Sequence, residues 1–232
     1  MGAARPRGTV GVTAGDGVAG LGGGYAARLP DPAPTVAAVL EATRPGDPDA
    51  HLAILAGPPG VGKSTAARRL VELLPGSLWL DKDTTASGFV LQAARDRGVD
   101  PGQAYGTEHY ERCLRPLEYA GPVALACANL VGARLVILVG GWGPELAVPE
   151  LWSGLQSRLA PSRLSVIHLD PPPLEQWRRR MRARGSRTDS PWFETFCEAV
   201  TRLPVWSGAR RVPSGHPLPA VVQSLLDLLG PA

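Results

Sequence analysis

Residues 57–64 read Gly57-Pro58-Pro59-Gly60-Val61-Gly62-Lys63-Ser64, which fits the pattern G-x-x-x-x-G-K-[ST]. The context that gives this pattern meaning is present on both sides. Before it, His51-Leu52-Ala53-Ile54-Leu55-Ala56 is a continuous apolar run that reads as a buried strand. After it, Ser64 to Leu74 places Ala67, Leu70, Val71 and Leu74 on one helical face. Glycines in such a loop let the backbone take unusual dihedrals, so that several N–H groups point into one cavity at a helix N-terminus. That cavity suits phosphate oxygens. Gly57 through Thr65 are therefore the candidate nucleotide-binding residues, with Lys63 placed to reach terminal phosphates and the Ser64 hydroxyl to ligate Mg²⁺.

Outward from the loop, apolar strands alternate with helical stretches. Strands are expected at Ser77–Leu80, Arg134–Val139, Leu164–Leu169 and, shorter, near 209–212. Helices are expected near 35–41 (with Thr35 as N-cap), 86–97, 106–131 with a kink or split at Pro116 and Gly121-Pro122, 151–159, 174–184, 191–202 and 217–229. The alternation predicts an α/β fold: a three-layer α/β/α sandwich around a mostly parallel sheet, with a helical lid at about 174–190. Residues 34–232 are read as one domain. Residues 1 to about 33 hold nine glycines in their first 24 positions, lack periodicity and are expected to form a flexible Gly/Pro-rich tail.

Composition limits the function classes. The chain has 232 residues, 44% hydrophobic and 19% charged, so it can bury a core. No uninterrupted apolar run reaches the roughly 18 residues of a membrane span. The basic start, Arg5 and Arg7, is followed by no apolar stretch of the signal-peptide kind. The three cysteines, Cys113, Cys127 and Cys197, are widely spaced and contain no C-x-x-C, which points to inert thiols in the cytoplasm rather than disulfides or zinc. Of 24 Lys plus Arg, only Lys63 and Lys82 are lysine, and the net charge is +3. Contact with nucleic acid is thus not favoured, although the arginine excess keeps it open.

The second informative stretch is Leu80-Asp81-Lys82-Asp83, at the carboxyl end of the second strand, the edge where ligands sit in open α/β sheets. A carboxylate there can accept a proton from an attacking hydroxyl or help to hold Mg²⁺. The phosphate loop with Asp81-Lys82-Asp83 at this spacing resembles the small P-loop kinase family. That family includes polynucleotide 5′-hydroxyl kinase, gluconate and shikimate kinases and chloramphenicol phosphotransferase, and the chain is similar in particular to zeta-toxin/AAA_33-like ATP-binding proteins. The resemblance spans about residues 51–205. It implies ATP and Mg²⁺ as cofactors and Asp83 as catalytic base, with Ser64 and Asp81 toward the metal. It also implies a lid carrying arginines four apart, a pattern that Arg180 and Arg184 match; Arg187 and Asp189 then fall in the lid turn. Lys63, Arg180 and Arg184 would stabilise charge on the transferring group.

The third strand ends in Gly140-Gly141 rather than in an acid, and no Asn-Lys-x-Asp occurs. Both features argue against a motor ATPase or a GTPase and for a metabolite kinase. The acceptor is expected under the helical insert between strands two and three. There Glu108, Arg112, Arg115 and Tyr119 are spaced to share a face. Asp81, Arg112, Arg115, Tyr119 and Trp142 are the candidate substrate residues, Trp142 by stacking. Trp79 and Trp177 read as packing residues. The leading expectation is an ATP-dependent kinase that phosphorylates a hydroxyl of a nucleoside, sugar or antibiotic-like natural product. The alternatives are a polynucleotide 5′-hydroxyl kinase, a toxin-like sugar-nucleotide kinase and a non-catalytic ATP-binding switch.

Overall fold

The computed structural model describes residues 30–186, 188–189 and 191–230. The stretch expected as a tail lies outside them up to residue 29, as does Arg187. Five strands, β1 (His51–Ala56), β2 (Leu78–Asp81), β3 (Leu135–Val139), β4 (Arg163–Asp170) and β5 (Arg210–Pro213), form one sheet in the order β2-β3-β1-β4-β5. Every pairing is parallel. β1 is central and wholly buried. Parallel neighbours need crossovers, and helices supply them.

Alternation along β1 divides the core. Leu52 and Ile54 face a layer built by α1 (Ala33–Ala42), α4 (Arg115–Ala128) and α5 (Pro149–Leu159), which contributes Val39, Tyr119, Val123, Trp152 and Leu155. Ala53 and Leu55 face the opposite layer, where α2 (Lys63–Leu73) and α8 (Leu218–Leu229) contribute Ala66, Leu70, Val222 and Leu225. The result is the expected α/β/α sandwich. A separate small core of Trp177, Met181, Phe193 and Phe196 joins α6 (Leu174–Ala183) to α7 (Trp192–Thr201). None of the described helices is long and apolar enough to cross a membrane.

The departures from the sequence reading have local causes. α1 starts at Ala33 after Pro32, so Thr35 is a buried helical residue and not the N-cap. α3 (Lys82–Asp96) begins directly after β2, not near residue 86, because the Asp81 side chain accepts from the Asp83 N–H and caps it. The insert does not run as one helix from residue 106. A 3-10 turn (Pro101–Gly106) precedes a π-helical turn (Tyr110–Leu114), in which the Arg115 N–H reaches the Tyr110 carbonyl. Pro116 has no N–H to continue an α-helical ladder, and it is accommodated in the first turn of α4. Cys127 and Cys197 are buried, whereas Cys113 is exposed.

Candidate active site

The phosphate loop connects β1 to α2. Gly57, Gly60 and Gly62 all have positive φ, and at two of them more than conformational freedom is at stake. A Cβ on Gly57 would lie 2.6 Å from the Leu169 carbonyl oxygen of β4. A Cβ on Gly60 would lie 2.6 Å from Met181 Sδ and 3.1 Å from Trp177 Nε1. Helix α6, the expected lid, is therefore docked on the loop. Trp177 Nε1 donates to the Pro59 carbonyl at 2.8 Å. Arg180 donates to the carbonyls of Val61 (3.2 Å) and Ser214 (2.9 Å).

A cavity of about 630 Å³ opens in front of the loop, within the range of small-molecule sites. On the side of the loop, α6 and α8 its wall is Pro59 through Thr65, Arg180, Met181 and Arg184, with Ser214, His216, Leu218 and Val221. On the side of α3 and the insert it is Lys82, Asp83, Tyr105, Tyr110, Glu111 and Arg115, with Gly140 and Gly141 from the end of β3 beside the loop. Lys63, Asp83, Arg180, Arg184 and Arg115 are thus brought to one space.

Lys63 Nζ donates to the carbonyls of Gly57 (2.7 Å) and Pro58 (2.8 Å). Burial pushes its ammonium down to about 8, against the pull of Asp83 and Asp81 and with help from Arg184 and Lys82. Lys82 is also buried, but Asp83 and Glu118 on either side outweigh that burial and hold it well above the ordinary lysine range. Its Nζ lies 2.6 Å from Asp83 Oδ1 and 2.7 Å from Glu118 Oε1. Burial likewise opposes the charge on Asp83, and Lys82, Lys63 and Arg184 together keep its carboxyl below the usual carboxylate range. Asp83 is therefore an ionised carboxylate at neutral pH.

Ser64 Oγ donates to Asp81 Oδ2 at 2.7 Å, while Asp81 Oδ1 accepts from the Asp83 backbone. A hydroxyl and a carboxylate, both hard oxygen donors, fit Mg²⁺, which keeps several ligands from water and phosphate. Among the described residues no cluster of three His, Cys, Asp or Glu is placed to hold a metal alone. Asp81 thus lies with Ser64 and is not among the residues that line the cavity.

Three other expected substrate residues do not line the cavity. Arg112 is turned outward by the π-helical turn, is exposed, and pairs with Glu108 at 3.1 Å. Tyr119 is 1% exposed, and its hydroxyl accepts from the Trp142 N–H. Trp142 is itself 1% exposed and packs edge-on against Tyr119 and Trp152, which precludes stacking on a ligand. The sequence reading missed Glu118, Glu145, Tyr105, Tyr110, Ser214 and His216. Arg115 reaches Glu145 through two bonds, Nε to Oε1 at 3.0 Å and a terminal nitrogen to Oε2 at 2.7 Å. Tyr110 donates to Glu118 Oε2 at 2.6 Å. Two acids in a stretch otherwise rich in apolar residues, Glu118 beside Tyr119-Ala120 and Glu145 after Gly143-Pro144, were the available signal.

Fold and site together define a nucleotide-binding P-loop protein of the kinase type. A family model described as "AAA domain" (AAA_18) matches residues 54–200, and the chain belongs to that family. A guanylate kinase of Parasynechococcus marenigrum (strain WH8102) is 31% identical over 144 residues, which is 60% of this chain and 74% of that protein. Among solved structures, the tunicamycin resistance protein of Deinococcus radiodurans is similar with a TM-score of 0.54 at 22% identity, covering 79% of this chain and 97% of that one. A shikimate kinase from Bacteroides thetaiotaomicron has a TM-score of 0.50 at 16% identity, with 78% and 98% covered. At these identities the structures attest the fold.

Proposed function

We propose that the protein is a cytoplasmic, ATP- and Mg²⁺-dependent kinase that transfers the γ-phosphoryl group to a hydroxyl of a small molecule: a nucleoside, a sugar or an antibiotic-like natural product. The observation that carries this reading is the ionised Asp83 carboxylate, facing the same cavity as Lys63 and the lid arginines. A phosphate acceptor needs no base, because it is already an oxyanion. A hydroxyl must lose its proton as the new O–P bond forms, and Asp83 is the group positioned to take it. As that bond forms, the bond from the γ-phosphorus to the bridging oxygen breaks and ADP leaves.

The chain's other residues have defined parts in this reading. Gly57 through Thr65 cradle the phosphates with backbone N–H groups. Lys63 exchanges its bonds to Gly57 and Pro58 for phosphate oxygens. Arg180 and Arg184 neutralise charge on the transferring group. Ser64 and Asp81 hold Mg²⁺, which when bound supplies charge neutralisation and orientation of the phosphates. Lys82 fixes the Asp83 carboxylate from behind.

The test is ADP formation against a panel of nucleosides, sugars and antibiotics, with 5′-hydroxyl oligonucleotides as the discriminating arm for a polynucleotide kinase. With any accepted substrate, Asp83→Asn is expected to lower kcat by about 10²–10⁴-fold, the usual contribution of a general base, while the affinity for an ATP analogue stays within about threefold. Turnover by Asp83→Asn at the rate of the unmodified protein would remove Asp83 from that role. Tight nucleotide binding with no phosphorylated product across the panel would favour the switch reading instead.

A further inference from the structure

The cavity is electrostatically two-sided. At the phosphate end the cations are available: among the described residues Lys63 and Arg180 donate to backbone carbonyls, which phosphate oxygens can replace. At the acceptor end the two cations on the wall are Lys82 and Arg115, and both are engaged by carboxylates. Lys82 lies between Asp83 and Glu118, whose side chain is fully buried. Arg115 is held by the two oxygens of Glu145, also fully buried, in a fork-on-fork pair. The Tyr119 ring lies under both cations, at 5.2 Å from Lys82 Nζ and 4.9 Å from the Arg115 guanidinium. Glu111 adds a further carboxylate to the wall there, and none of its ion pairs is seen among the described residues. Lys82 and Arg115 therefore stand against Asp83, Glu111, Glu118 and Glu145 around the acceptor end, and the other cations that act on Asp83, Lys63 and Arg184, belong to the phosphate end.

An anionic acceptor entering this end meets excess negative charge, and neither Lys82 nor Arg115 can turn to it without abandoning a buried carboxylate. A hydroxylated neutral molecule meets no such conflict. Tyr105 lines the same end, and its hydroxyl oxygen is buried without a hydrogen-bond partner among the described residues. A ligand hydroxyl can satisfy it, and the Glu111 carboxylate can accept from another. We propose that the acceptor is an uncharged polyhydroxylated molecule, and that Glu145 and Glu118 enforce the exclusion of carboxylate and phosphate acceptors by occupying Arg115 and Lys82. The inference rests on the small-molecule kinase reading and narrows it. Discrimination of this kind can be built from a repulsive element as well as from contacts to the accepted molecule.

The experiment is calorimetric binding with the phosphate end filled by Mg²⁺ and a non-hydrolysable ATP analogue. The probes are two matched pairs, guanosine with guanylate and glucose with gluconate. The unmodified protein is expected to take up neither anion. Glu145→Gln keeps the shape of the side chain but releases the Arg115 charge, and it is expected to strengthen binding of the anionic member by about tenfold or more. Glu118→Gln, which releases Lys82 in part, is the second variant should the first fail to fold by circular dichroism. Binding of guanylate or gluconate by the unmodified protein at least as tight as that of its neutral partner overturns the proposal. So does the failure of both folded variants to gain anion binding. The kinase reading is judged separately, by whether ADP and a phosphorylated product appear when the analogue is replaced by ATP. Charge selection without turnover refutes the kinase and leaves the selection standing; turnover on guanylate does the reverse.

Discussion

Lys82 changes the meaning of its neighbours. By sequence it sits between two aspartates and has no evident task; in the structure it passes over Asp81 and ties Asp83 to Glu118. Asp81 is thereby left to Ser64 and to the start of α3, and the two aspartates separate, Asp81 toward the loop helix and Asp83 toward the cavity. Lys63, the other lysine, is the opposite case: buried, held by neutral carbonyls and pushed down to about 8. A base with a lowered pKa is charged below that value and neutral above it. Phosphate binding favours the ammonium, so affinity for a Mg²⁺–ATP analogue should be flat on the acid side of about pH 8. Above it, affinity should weaken by about tenfold per pH unit, in proportion to the protonated fraction. Lys63→Met should bind weakly with no such inflection. A flat profile for the unmodified protein up to about pH 9.5, measured by titration calorimetry, would mean that burial does not lower Lys63 in this way, and unweakened binding by Lys63→Met would remove it as the phosphate contact.

At the scale of elements, the phosphate loop and α6 act as one unit. Gly60 has φ +79° and lies against Met181 and Trp177. Gly60→Ala should cost about 1–2 kcal/mol from the left-handed backbone alone, and more from displacing Met181. Met181→Ala removes the clash but not the backbone strain. Denaturant unfolding of the two single variants and the double variant should therefore show a favourable coupling, with the double variant less destabilised than the sum. Strict additivity would mean that α6 does not rest on the loop. The loop, β1 and α2 were legible because strand, glycines and helix are contiguous, and local periodicity encodes them. The acceptor end was not. Glu145 meets Arg115 across 30 positions and Glu118 meets Lys82 across 36, pairings that only tertiary structure creates. Arg112 was misplaced for a sharper reason: the spacing argument assumed 3.6 residues per turn, and Arg112 lies within a π-helical turn, Tyr110–Leu114, that breaks that spacing relative to Arg115 and Tyr119. Trp142 was misplaced because its glycine neighbours suggested openness, whereas its backbone, at φ +55°, folds the indole back into the core.

At the scale of the whole molecule, the cavity is walled by segments far apart in the chain: the loop after β1, the start of α3, the insert, α6 and the turn before α8. These segments belong to different layers and to three different clusters of buried apolar residues. A ligand that bridges them stabilises the native state as a whole, by RT ln(1 + [L]/Kd). At a hundredfold excess over Kd that is about 2.7 kcal/mol, and about 2–4 °C per kcal/mol for a chain of this size predicts a rise in Tm of about 5–10 °C. The lid's share can be isolated. Arg180 connects α6 to both the loop and the residue after β5. Arg180→Ala should therefore lose much of the nucleotide-dependent shift, while its own effect on the ligand-free Tm stays small because the side chain is only half-buried. Thermal unfolding with and without the Mg²⁺–ATP analogue reads both quantities at once. An undiminished shift in Arg180→Ala would detach the lid from nucleotide binding. The cavity would then be a loop site with a neighbouring helix, and the charge asymmetry between its ends would have to act without closure.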